Sequence, residues 1–142
     1  MGYLYAICAA VAWGLVYALR EKTAPFVTPL GAMFLYGITL TAVSGPLLLS
    51  GKGSFGNIAV GGWASVGLSL LASAVSVVGV WLILISIDRL GAGLSSVIEI
   101  SYPLFVVLFY WLLLGQSVNW AVAAGGALIF TGSCIVMYYG KG

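Results

Sequence analysis

The eight charged side chains of this 142-residue chain leave four long stretches with none, residues 1–19, 23–51, 53–87 and 100–140. A helix rising 1.5 Å per residue needs about 20 apolar residues to cross a hydrocarbon core about 30 Å thick, so each stretch can hold a membrane span. The last is too long for one helix. Gly115-Gln116-Ser117-Val118-Asn119 interrupts it with turn-forming and polar residues, and its first half extends back past Glu99 to about residue 92. Five spans result, at about residues 3–19, 28–49, 63–87, 92–114 and 120–139, within a single domain covering 1–142. Helix is required, because lipid offers no hydrogen-bond partner to bare backbone and the segments are far too long for barrel strands. The fold class is an all-α integral membrane protein, a bundle of five transmembrane helices.

Composition excludes most other classes. Hydrophobic residues make up 63% and charged residues 6% of the chain, whereas a soluble domain carries about 25% charged residues. There is no His, and the net charge is +2, so neither a nucleic-acid surface nor a His-based metal site is expected, and no cofactor is implied. Cys8 and Cys134 lie in apolar runs near opposite ends of the chain without CxxC spacing, as small core or lipid-facing residues do. No basic region precedes the first apolar run, and Ala6 stands where a myristoylation signal wants Ser or Thr. The first hydrophobic segment is expected to stay in the mature protein.

Lys and Arg accumulate on the cytoplasmic side of membrane proteins. Taking the spans alternately, Arg20, Lys22, Arg89 and Lys141 fall on one side and Lys52 on the other. Four against one predicts the N-terminus outside and the C-terminus in the cytoplasm.

Glu99 is the residue most out of place, since a carboxylate within a span costs on the order of 3 kcal/mol on insertion scales and is usually retained for function. The bland alternative is a hydrogen bond to a neighbouring Ser or Tyr, or snorkelling to the interface. Pro103 has no N–H for the Glu99 carbonyl four residues earlier, so a carboxyl group and a free carbonyl share one turn, which is expected to kink and to face the interior. Ser95, Glu99 and Tyr102 follow the i, i+4, i+7 spacing of one polar stripe. Counted from the side bearing Arg20 and Arg89, Trp13, Tyr36, Trp81 and Glu99 all lie about 9–12 Å deep. Trp13 and Trp81 are too deep for an interfacial belt, leaving helix packing or the lining of a cavity.

Ser69 and Ser73, Ala72 and Ser76, and Ala121 and Gly125 have the small-xxx-small spacing of close helix contacts, and Gly125 and Gly132 fall on one face. The third and fifth spans are expected to be interface helices. Asp88-Arg89 reads most simply as a solvated turn.

The order of Trp13-Gly14, Ser101-Tyr102-Pro103, the apolar run closing in Leu114-Gly115-Gln116, and the Gly-rich Gly125-Gly126-Ala127-Leu128-Ile129-Phe130-Thr131-Gly132 resembles one EamA-type domain of the drug/metabolite transporter superfamily. The resemblance covers nearly the whole chain. It departs at Gln116, where the family usually has Glu, and in number, because familiar members carry two such domains in inverted orientation. The resemblance implies half of a ten-helix inverted-repeat transporter architecture and a carrier of small metabolites, often an exporter, in the prokaryotic inner membrane.

The leading expectation is a secondary transporter in which two five-helix units enclose a midplane cavity. The second unit is either another copy, giving a homodimer and possibly an antiparallel one, or a separate five-helix subunit. Glu99 binds a coupling proton or a cationic substrate group, with Trp13, Tyr36, Trp81, Tyr102 and Ser95 completing the candidate site. Aromatic faces and a carboxylate suit amines or amino acids. The alternative is a non-transporting scaffold or lipid-handling subunit. An enzyme is not expected, for want of a His, a paired carboxylate within a span or a nucleophile-base pair.

Overall fold

The computed structural model describes residues 2–51, 56, 61–115, 117 and 119–140. Six helices follow one another: α1 (Gly2–Thr23), α2 (Pro29–Leu49), α3 (Gly62–Leu90), α4 (Ala92–Glu99), α5 (Tyr102–Leu114) and α6 (Trp120–Tyr139). There is no strand among the described residues. Five spans are long and apolar enough to cross a membrane, with α4 and α5 together forming the fourth. Lys52, Gln116 and Lys141, on which the orientation and the family departure partly rest, lie outside the described residues.

Pro103 breaks the fourth span into two helices rather than bending one. Without an N–H at Pro103, the helical ladder cannot continue past Glu99. The backbone tightens instead: Ser101 N–H turns to the Ile98 carbonyl at 3.2 Å and Leu104 N–H to the Ser101 carbonyl at 3.2 Å, both three residues back. The two connecting residues keep right-handed helical angles.

Two further segments differ from the sequence reading. Arg20, Glu21 and Lys22 continue α1 to Thr23 instead of forming a loop, with the two bases in the last turn where the helix dipole favours them. Asp88 and Arg89 are the last turn of α3 rather than part of a loop. Arg20 reaches Asp88 at 2.6 Å, in an ion pair whose side chains are 4% and 24% exposed respectively.

The chain divides into two compact units. One comprises residues 23–85, with α2 and most of α3. Thr28 caps α2 by accepting the Gly31 N–H at 3.1 Å, followed by Pro29 in the first turn. In α3, Ser69, Ser73 and Ser76 are exposed and return their hydroxyls to carbonyls four residues earlier.

The other unit comprises residues 1–22 and 86–142, with α1, the end of α3, α4, α5 and α6. Here α6 packs on α4 and on α5. The face it uses is Gly126 and Ser133, one residue round from the Gly125–Gly132 face that the glycine spacing suggests. A Cβ on Gly126 would lie 3.4 Å from the Leu104 Cα, in ordinary contact with the start of α5 and with no room for a larger side chain. Phe130, one turn along, meets Phe105 edge-on at 6.3 Å. The interior of this unit is small and polar: Arg20, Ser95, Ser101 and Ser133 are buried beside Tyr17, Ile87 and Ala92, while most large apolar side chains point outward. That inversion suits a bilayer, where lipid solvates Leu as well as a core does and hydrogen bonds tie helices together.

Candidate functional site

The site is a groove of about 650 Å³ between α1 and the α4–α5 break. One face of α1 supplies Ala6, Ala10, Trp13, Gly14 and Tyr17, small residues leaving the space and two aromatic rings bounding it. Opposite stand Ser96, Glu99 and Ile100 of the α4 end and Tyr102 of the α5 start. Glu99 is the one carboxyl group among these lining residues.

Glu99 does not stand alone there. The Tyr17 hydroxyl donates to its Oε2. Four residues further along α1, the Glu21 carboxylate accepts the Ala92 N–H at 2.8 Å. The two contacts run in opposite directions along the two helices, so α1 and α4 are antiparallel. Helical side chains lean toward their own N-terminus. Tyr17 therefore leans away from the Arg20 end and Glu99 toward it, and the two long side chains meet although simple depth counting places Glu99 level with Trp13.

The rest of α4 is held from other sides. Ser95, 0% exposed, shares a hydrogen bond of 2.8 Å with Ser86 at the end of α3. Ser133 of α6, 1% exposed, donates to the Val97 carbonyl at 2.6 Å. That carbonyl is available because Ser101 N–H has turned to Ile98.

Of the six candidate residues, Trp13, Glu99 and Tyr102 line this groove. Ser95 belongs to the same unit but faces Ser86 rather than the groove, so the stripe of Ser95, Glu99 and Tyr102 is not a single lined face. Tyr36 and Trp81 belong to the other unit and are largely exposed, at 49% and 45%. Glu99 is exposed to the groove rather than enclosed in an interior. Composition singles out neither Tyr17 nor Glu21. Their signal is spacing, since Trp13, Tyr17 and Glu21 repeat every four residues along one helical face.

Chemically, a carboxylate between aromatic rings, with no basic side chain among the lining residues, attracts a cation through charge and through the ring faces. No group of three or more potential acidic, Cys or His metal ligands occurs among the described residues. Residues 1–138 match the family described as EamA-like transporter family. No curated protein and no solved structure matches the chain.

Proposed function

The chain belongs to the EamA-like transporter family, and from that premise we propose that it is a secondary carrier of small cationic metabolites, amines or amino acids, in the prokaryotic inner membrane. Glu99 is the binding group in this reading. Trp13 and Tyr102 flank the substrate cation, and Tyr17 holds the carboxylate in place while the site is empty. A cation or a proton entering the groove competes with the Tyr17 hydroxyl for the same oxygen. The observation that carries the reading is the Tyr17–Glu99 hydrogen bond in a groove lined by aromatic rings and no base. A second five-helix unit completes the enclosure of the groove.

The same hydrogen bond favours a second reading, a non-transporting subunit in which Glu99 serves only to tie α4 to α1. Counterflow of labelled amines and amino acids in proteoliposomes separates the two. In Glu99→Gln the amide oxygen still accepts from Tyr17, so a structural tie survives while the charge is gone. The carrier reading expects the folded variant to lose exchange entirely. Unchanged exchange in Glu99→Gln removes Glu99 from the binding role, and no exchange in the native protein with any solute of the panel leaves the subunit reading.

A further inference from the structure

The short helix α4 is gripped at both ends by one face of α1. Its N-terminus begins after Gly91, whose φ of 79° and lack of a side chain leave the first turn without a cap of its own. The cap comes from another helix: Glu21 accepts the Ala92 N–H at 2.8 Å and places an anion at the positive end of the α4 dipole. The last residue of α4 is Glu99, and it is bonded to Tyr17, one turn before Glu21. An eight-residue helix moves as one piece, so fixing one end of it fixes the other.

We propose that Glu21 is a positioning residue for the cation site: by capping α4 it sets the register of α4 on α1 that brings the Glu99 carboxylate to the Tyr17 hydroxyl. Glu21 is outside the groove lining. Its reach is what matters. Glu21→Gln keeps an acceptor oxygen at the same distance from the backbone and loses the charge, whereas Glu21→Asp keeps the charge and falls short by one methylene.

This inference rests on the proposed cation site for its functional consequence, but the register itself is read without transport. The tyrosine ring-mode doublet in ultraviolet resonance Raman spectra reports whether a phenol donates a hydrogen bond, and subtraction of the Tyr17→Phe spectrum isolates Tyr17. With the full chain in nanodiscs, the native protein and Glu21→Gln are expected to give the signature of a donating Tyr17, and Glu21→Asp and Glu21→Ala to lose it. Counterflow then follows: half-saturation is expected to rise about tenfold in Glu21→Asp and to stay within about twofold of native in Glu21→Gln. Combined with Tyr17→Phe, Glu21→Asp is expected to add little, because both act through Glu99. A donating Tyr17 retained in folded Glu21→Asp overturns the proposal, whatever the carrier does. Should the native protein fail to exchange any solute, the proposed function falls, and the Tyr17 signature still decides whether Glu21 positions Glu99.

Discussion

Ser133 donates its hydroxyl to the carbonyl oxygen of Val97 at 2.6 Å, from α6 to a backbone group that the break at Pro103 frees from its own helix. The same hydroxyl lies 3.0 Å from the Ile129 carbonyl, its default partner within α6. A hydroxyl has one hydrogen, and the shorter contact is the one between helices. A serine that would otherwise only bond back on itself thus becomes the tie between the two helices.

Ser133→Ala is therefore expected to destabilise the protein by about 1 kcal/mol, the usual range for a hydrogen bond between membrane helices. Ser76→Ala is the control. Its hydroxyl returns to the Ala72 carbonyl of its own helix on an exposed face, and its loss is expected to change stability by less than about 0.5 kcal/mol. Unfolding titrations in mixed micelles compare the two, and equal effects would remove Ser133 from its role.

Gly126 gives a steric counterpart. Its hypothetical Cβ would sit in ordinary contact with backbone at Leu104 and Pro103. Gly126→Ala is expected to fold with little loss, whereas Gly126→Leu forces α6 off α5 and costs about 1–3 kcal/mol. The same titrations read it, with native stability of Gly126→Leu as the contrary result.

The spans were legible because they follow from one-dimensional chemistry, long charge-free runs, and the same reading singles out Glu99, which lines the groove. Pro103 announced a disturbance, but whether the helix bends or splits depends on how the neighbouring N–H groups rebond, here three residues back at Ser101 and Leu104. The partners of Glu99 were hidden for a different reason. Depth counting treats side chains as points level with their Cα atoms, and Tyr17 meets Glu99 through the opposed lean of two antiparallel helices. The Arg20–Asp88 pair is not legible because its members lie 68 residues apart, and nothing in either local sequence signals the pairing. The α6 contact face slipped by one residue because Gly125 and Gly132 mark an equally plausible glycine stripe beside the one actually used.

The Arg20–Asp88 ion pair leads to a third prediction. Asp88→Asn leaves the 4%-exposed Arg20 side chain without its carboxylate. Removing one partner of such a pair is costly because a charge stays behind in a poorly solvated place; with Asp88 partly open to solvent, about 2 kcal/mol is expected, below the range for fully buried pairs. The double variant Arg20→Met/Asp88→Asn is expected to be less damaged than Asp88→Asn alone. Thermal unfolding in nanodiscs checks the order, and additive losses would contradict it.

Membrane orientation is a fourth. Arg20 and Lys22 end α1 and Arg89 ends α3, and the positive-inside tendency assigns that end to the cytoplasm. A periplasm-active reporter fused before Met1 and a cytoplasm-active reporter fused after Gly142 are both expected to give signal. A cytoplasmic signal from the Met1 fusion would reverse the assignment. Replacing Lys22 and Arg89 by Gln is expected to weaken the preference, since only Arg20 and Lys141 then oppose Lys52.

The working assembly is the last prediction and depends on how much polar surface can face lipid. Glu99 and Tyr102 line a groove and remain exposed, and a carboxylate at membrane depth is stable only against protein or water. A second five-helix unit over this face would supply the missing wall, and inverted pairing is the arrangement by which many carriers enclose a midplane site. The charge bias opposes insertion of the same chain both ways, so a homodimer has to form against that bias or the partner has to be a different chain. Native mass measurement in nanodiscs is expected to give at least two units per active particle, and a monomer that exchanges substrate would rule this out. In a Cys8→Ser, Cys134→Ser background, single cysteines at Ser50 and Tyr139 test the pairing. Alternation of the spans places these ends on opposite sides of one unit, so a disulfide between a Ser50→Cys copy and a Tyr139→Cys copy forms only when two units lie antiparallel.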